Sequence, residues 1–385
     1  GLQEKRREPP APGTTFRGRC FGPRVHRRIS YVLCFAGESP KNRTMAFLDL
    51  WGKVLEVFMP LIIFVGSIMT LSVIICTHNP DLKRLDRVFR ALERQTLPLA
   101  EWECILVDNA SIAAVGSQIV MAWHPSGRIV REDALGLTQA RLKGIAEAKG
   151  EILVFVDDDC LLEPDYLAQT CKIFNDHPFL GFVGGYGRAE YESPPPAWMT
   201  MSLRQYHLDS SEDPLFGNGL NYARMTPCLG PWFPIGAGMA IRKKRAVEYA
   251  QSIRNDPVAL GLGRTGKVLT GAEDLDIGIH VMMHGQAIGK SRELKFIHVV
   301  PKFRLELNYM LRLLYMSQYS TERLLVHRGW HKPLPLTIPT RWQRLKKRLA
   351  AAKRRPPEDL CWQALSKGMA DGLSGAPPDP FFCQR

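Results

Sequence analysis

A chain of 385 residues, 45% hydrophobic and 23% charged, can bury one large core or two smaller ones, which excludes collagen-like, disordered and small disulfide-framework proteins. The net charge of +13 raises nucleic acid as a partner, but the excess is local. Residues 1–44 carry ten Lys/Arg against three acids and residues 341–355 carry eight against none, so the rest of the chain is close to neutral.

Nine cysteines include no C-x-x-C pair, and several stand in apolar patterns where a thiol behaves as a small hydrophobe. They fit a reduced, cytosolic compartment better than a disulfide framework or a structural zinc site.

Residues 1–44, rich in Arg, Pro and Gly without a sustained period, read as a disordered basic leader, with Met45 as a candidate true start. Residues 45–70 form an apolar segment. The twenty uncharged residues from Val57 to Cys76 are long enough to suggest a membrane span, but Leu71-Ser72-Val73-Ile74-Ile75-Cys76 reads better as a buried strand. What precedes it is short and holds Pro60, which favours packing on the domain or resting on a membrane surface.

From Leu71 apolar strands alternate with amphipathic helices. Asn79-Pro80-Asp81 opens a helix with Leu85, Phe89 and Leu92 on one face. Strands follow at 104–107 and 128–130, a helix at 138–148, a strand at 152–156 and a helix at 164–174. This order predicts a mostly parallel sheet flanked by helices, with ligands beyond the carboxyl ends of the strands. The predicted domain is 71–305, with a regular half at 71–180 and an irregular half at 181–305. That second half holds Pro194-Pro195-Pro196 and the aromatics Trp198, Tyr206, Tyr222 and Trp232, for which core packing competes with stacking on a substrate. Residues 306–385 are predicted as C-terminal helices, beginning with an amphipathic one at 307–326. Within them the basic segment 341–355 is of the kind that rests on anionic lipid.

Asp157-Asp158-Asp159 closes the strand at 152–156. Adjacent carboxylates repel unless a cation or a donor network compensates, and Mg²⁺ or Mn²⁺ held by hard oxygens is an economical compensation. The plainer reading is an acidic turn before the next helix. A second strand end carries Asp108-Asn109-Ala110-Ser111, where Asp108 can accept from the base of a nucleotide or simply close the turn. Thr77 ends the first strand. Arg141, in the helix opened by Leu135-Gly136-Leu137-Thr138, can meet a phosphate or the acidic triplet.

Further on, Glu273-Asp274 begins an apolar-periodic helix. Helix capping is the bland explanation; a base that takes a proton from an acceptor hydroxyl is the functional one, and Asp274 is the better placed of the two. His298 is a candidate third metal ligand or a core histidine. Gly236-Ala237-Gly238 allows close approach of a sugar or makes a tight turn.

Taken in order, Leu71–Asn79, Val107–Ser111, Gln139-Ala140-Arg141, Asp157–Asp159, Gly236–Gly238 and Ala272-Glu273-Asp274 resemble the family 2 glycosyltransferases. The resemblance covers about 230 residues. It implies the GT-A fold, a Rossmann-like α/β architecture, and inverting transfer from a nucleoside-diphosphate sugar, a UDP-sugar favoured. The acceptor it implies is a glycan or a lipid-linked hydroxyl. It assigns Thr77, Asp108 and Arg141 to the nucleotide, Asp157 and Asp158 to donor and metal, Asp159 to the metal directly, and Asp274 to catalysis as the base. Cys76 stands where many members have Pro, and Leu142 where many have Asn. An inactive nucleotide-sugar-binding scaffold is the first alternative. A nucleic-acid-binding protein is disfavoured by the neutral central body. The basic ends suggest peripheral contact at the cytoplasmic face of a membrane.

Overall fold

The structure is a computed structural model that describes residues 70–207, the backbone of 220–223, and residues 233–333 and 356–383. The chain divides into two units, 1–65 and 66–385, and every described residue belongs to the second. The readings of 1–44, of 45–69, of Trp232 and of the basic segment 341–355 lie outside the described residues, and Tyr222 is described in its backbone alone.

Four strands make the first half of the sheet: β1 (Leu71–Thr77), β2 (Trp102–Asn109), β3 (Gly127–Glu132) and β4 (Ile152–Asp157). They lie in the order β3-β2-β1-β4 and are parallel throughout. Each is followed by a polar turn, so Thr77, Asp108 and Asp157 end on one edge of the sheet.

The runs are apolar without alternation because both faces are covered. Leu71, Val73 and Ile75 of β1 join one core cluster with helices α1 (Leu82–Glu93) and α3 (Tyr166–Asp176), whereas Ile74 joins the opposite cluster with α2 (Leu137–Glu147). Asp81 caps α1 by accepting from the N–H groups of Lys83 and Arg84.

Five more strands complete a nine-stranded sheet of order β3-β2-β1-β4-β8-β6-β9-β5, with β7 (Leu220–Ala223) also on β9. Here β5 (Cys160–Leu162), β7 and β8 (Ala240–Arg242) pair antiparallel, while β6 (Leu180–Tyr191) and β9 (Ala287–Val300) pair with each other in parallel. The sheet is therefore parallel where the sequence pattern was regular and mixed beyond it.

The long strands β6 and β9 replace what the sequence suggested was loop-rich. Gly184, Gly185 and Gly187 of β6 look like turn signals, but a Cβ on Gly185 would stand 2.2 Å from the carbonyl oxygen of Leu294. The glycine lets two strands close up beside a register shift between Gly184 and Tyr186.

Helices α4 (Lys243–Ile253) and α5 (Glu273–Met283) pack on the same face as α2. Asp276 of α5, 1% exposed, meets Arg328 through both carboxylate oxygens at 2.7 Å and accepts from the Tyr249 hydroxyl at 3.2 Å. Helices α6 (Leu307–His327) and α7 (Pro357–Ser374) build a third cluster around Leu314, Tyr315 and Cys361. Gly368 and Gly372 of α7 lie against the backbone of α6, where a Cβ would clash with the carbonyl oxygens of Tyr315 and Tyr319. No helix among the described residues is long and apolar enough to cross a membrane.

Candidate active site

A cavity of about 670 Å³ opens beyond the carboxyl ends of β1 and β4. Thr77, Arg141, Asp157, Asp158, Asp159, Gly236, Ala237, Glu273, Asp274 and His298 all line it. Asp108 and Gly238 do not.

The three aspartates diverge. Asp157, the last residue of β4, lies 3.6 Å from Arg141 Nη2. Asp158 accepts from the hydroxyl of Thr77, which ties the ends of β1 and β4 together. Burial is the chief cause that lifts the Asp158 pKa to about 7, and the charge of Asp159 adds to it.

Asp159 turns to β9. The antiparallel pairing of Cys160 with His298 brings the histidine to the carboxylate, with Nε2 3.5 Å from Oδ2. Arg304 Nη2 approaches the same oxygen at 2.9 Å. Burial opposes ionisation of Asp159, but the neighbouring His298 and Arg304 outweigh it and hold the pKa well below the usual range.

His298 Nδ1 is 2.7 Å from the carbonyl oxygen of His207, an acceptor only, so Nδ1 donates, and Arg304 Nη1, a donor only, is 3.0 Å from Nε2, so Nε2 accepts. A carboxylate oxygen and such a nitrogen side by side suit a divalent cation. Asp159, Cys160 and His298 each offer a ligand atom within 4.8 Å of the others. The Arg304 guanidinium, held by the first and last of these, shows that the place attracts positive charge. A second group of this kind, Glu248, His280 and His284, lies on α4 and the end of α5, where Arg245 already takes the Glu248 carboxylate.

Asp274 sits in the first turn of α5. Its Oδ2 accepts from the Gly236 N–H at 2.7 Å and its Oδ1 from the Leu275 N–H at 2.8 Å, which leaves one electron pair on each oxygen. Burial raises its pKa most, against the pull of Arg141 and these two N–H groups. Glu273 lies behind it, its Oε1 2.6 Å from Arg141 Nη1 and its buried Oε2 without a partner. Burial lifts Glu273 to about 7 although Arg141 opposes, and the Asp274 charge adds to the rise.

Asp108 serves its own loop. It accepts from the N–H groups of Ser111 at 3.2 Å and Val115 at 3.0 Å and pairs with Arg131 at 2.8 Å. Burial works against its charge, yet these donors hold its pKa below the usual value. Asn109 faces the cavity instead, and its Oδ1 accepts from the Gly136 N–H at 2.8 Å. Gly238 is a turn residue at φ +69 whose carbonyl accepts from the Tyr166 hydroxyl. Trp198 packs in the C-terminal cluster, whereas Tyr206, partly buried there too, also reaches the cavity.

The sequence reading missed Arg304 and Arg264. Arg264 is exposed within the cavity and makes no ion pair among the described residues. Both come from irregular segments, where only the need of five cavity carboxyls for cations would have pointed to them.

The sequence model described as "Glycosyl transferase family 2" matches residues 72–246. The match takes in Thr77, Arg141 and the triplet and stops before Asp274 and His298. Glycosyltransferase AglE of Haloferax volcanii is 30% identical over 101 residues, which are 26% of this chain and 33% of the relative. An uncharacterized glycosyltransferase, YwdF of Bacillus subtilis, is 29% identical over 104 residues, 27% of this chain and 38% of the relative. The chain thus spans less than half the length of these relatives. The crystal structure of S. aureus TarS 1-349 in complex with UDP-GlcNAc superposes with a TM-score of 0.44 at 14% identity, covering 80% of this chain and 93% of that one. The segment that supplies Thr77, Arg141 and the Asp157–Asp159 triplet is thus similar to glycosyltransferase family 2.

Proposed function

We propose that the protein transfers a sugar, with inversion and metal assistance, from a nucleoside-diphosphate donor to the hydroxyl of a glycan or lipid-linked acceptor, with Asp274 as the base. The observation that carries this reading is one cavity with a cation-attracting pair, Asp159 and His298, and a fixed, partly buried carboxylate, Asp274. The family match supports the donor class.

In this reading Asp159 and His298 hold Mg²⁺ or Mn²⁺, which when bound offsets negative charge on the departing diphosphate. Arg141 and the exposed Arg264 are the cations available to the phosphate oxygens. The two backbone N–H groups at Asp274 aim the remaining electron pairs of its carboxylate into the cavity. There the carboxylate takes the proton of the acceptor hydroxyl as its oxygen bonds to the anomeric carbon. The bond from that carbon to the diphosphate oxygen breaks at the same time, and its electron pair leaves with the diphosphate. Glu273 keeps Arg141 in place behind the base. The eight Lys/Arg of residues 341–355 support a peripheral contact with anionic lipid at the cytoplasmic face of a membrane.

A screen of nucleoside-diphosphate sugars, reading diphosphate release with and without Mn²⁺, tests the proposal. The expected result is Mn²⁺-dependent release from one donor class, UDP-sugars first. Binding of nucleotide without release from any sugar donor, with or without acceptors, would make the protein a scaffold.

A further inference from the structure

Arg304 stands in an unusual place. Its Nη2 is 2.9 Å from Asp159 Oδ2 and its Nη1 is 3.0 Å from His298 Nε2. One guanidinium therefore takes the electron pair of His298 Nε2 and faces one oxygen of Asp159, so its charge lies against both groups that would hold a divalent cation. The side chain is 16% exposed and its Nε is buried without a hydrogen-bond partner. It sits on a single 3-10 turn, Lys302–Leu305, between Pro301 and Glu306, with the half-exposed Phe303 beside it at the cavity.

We infer that Arg304 is a resident counter-ion of the metal ligands, and that metal and diphosphate enter together because the arginine must be given a new anion before it can leave. The inference rests on the proposed function, since it concerns the same metal. Its physical basis is the cost of buried charge. A cation entering alone would take Asp159 and His298 and leave a buried guanidinium beside it, unpaired and repelled. When a diphosphate is present, the displaced fork meets phosphate oxygens that it can hold in bidentate fashion. The exchange then keeps every charge paired. The lone turn that carries Arg304 can shift without unwinding α6, which begins at Leu307. Donor sugar without metal finds Arg304 already committed, and metal without donor finds its ligands taken.

Manganese binding measured by electron paramagnetic resonance on the full chain, with and without UDP, tests this. In the wild type UDP is expected to tighten Mn²⁺ binding at least tenfold. Arg304→Gln removes the competing charge and is expected to bind Mn²⁺ alone at least tenfold more tightly than the wild type, with most of the UDP enhancement lost. Arg304→Lys, which keeps a cation at the site, is expected to fall near the wild type. Equal Mn²⁺ affinity in the wild type and a folded Arg304→Gln, or the same UDP enhancement in both, overturns the inference and leaves the proposed function standing. Absence of Mn²⁺ binding in every variant, even with UDP, overturns the metal-assisted reading and this inference with it.

Discussion

Arg141 Nη1 lies 2.6 Å from Glu273 Oε1, and neither side chain is more than 7% exposed, so a buried ion pair joins α2 to the first turn of α5. The same guanidinium faces Asp157 at 3.6 Å, which makes it the link between the triplet and Glu273. Arg141→Leu is expected to lower unfolding stability by about 3 kcal/mol in urea, the low end for a broken buried pair, because the freed Glu273 can take up a proton. It should also weaken UDP binding. A variant as stable as the wild type would show that the pair is not needed to hold α5.

Asp274→Asn keeps the shape of the side chain but can satisfy only one of the two N–H groups of Gly236 and Leu275. It is expected to cut kcat/KM for transfer by roughly 10²–10⁴-fold while UDP binding persists. The pH profile supplies an independent readout. The base acts when ionised, so the rate should rise with pH and level off above its pKa. Burial pushes that pKa above the ordinary 3.8, so the acidic limb of the wild type should lie above the usual aspartate range. A limb centred near 3.8, or full turnover in Asp274→Asn, would assign the base elsewhere.

The two glycines of the Gly236-Ala237-Gly238 turn should part company when substituted. A methyl on Gly236 would stand 2.8 Å from Arg141 Nη2 and 3.4 Å from Asp274 Oδ2, so Gly236→Ala is expected to lose activity while remaining folded. Gly238 has φ +69, and a methyl there would meet the Tyr166 hydroxyl at 2.6 Å. Gly238→Ala is expected to cost about 2 kcal/mol, combining left-handed strain with the loss of a buried hydrogen bond. Thermal unfolding beside a transfer assay separates the two outcomes.

Much of the first half was legible because its signals are local. The apolar runs of β1, β2 and β4, the face of α1 and the polar residues at the strand ends announce their roles without knowledge of what packs against them. The second half was opaque for a physical reason. Gly185 of β6 serves a close approach to Leu294, which lies more than a hundred residues away. Asp108 illustrates the same limit at a single side chain. Its place at a strand end is visible in the sequence, but whether its oxygens face a ligand or the N–H groups of Ser111 and Val115 depends on how the loop turns. Arg304 was hidden because nothing within its own segment marks it. Its meaning comes from Asp159 and His298, which reach it only through the pairing of β5 with β9.

The divergence of Asp157, Asp158 and Asp159 makes the end of β4 a three-way junction in the chain. Consecutive residues reach for three different walls of the cavity: Arg141 on α2, Thr77 on β1, and Arg304 with His298 beyond β5. Adding or removing one residue between Val156 and Cys160 would pass each carboxylate to its neighbour's partner. The spacing of this stretch is thus itself part of the site.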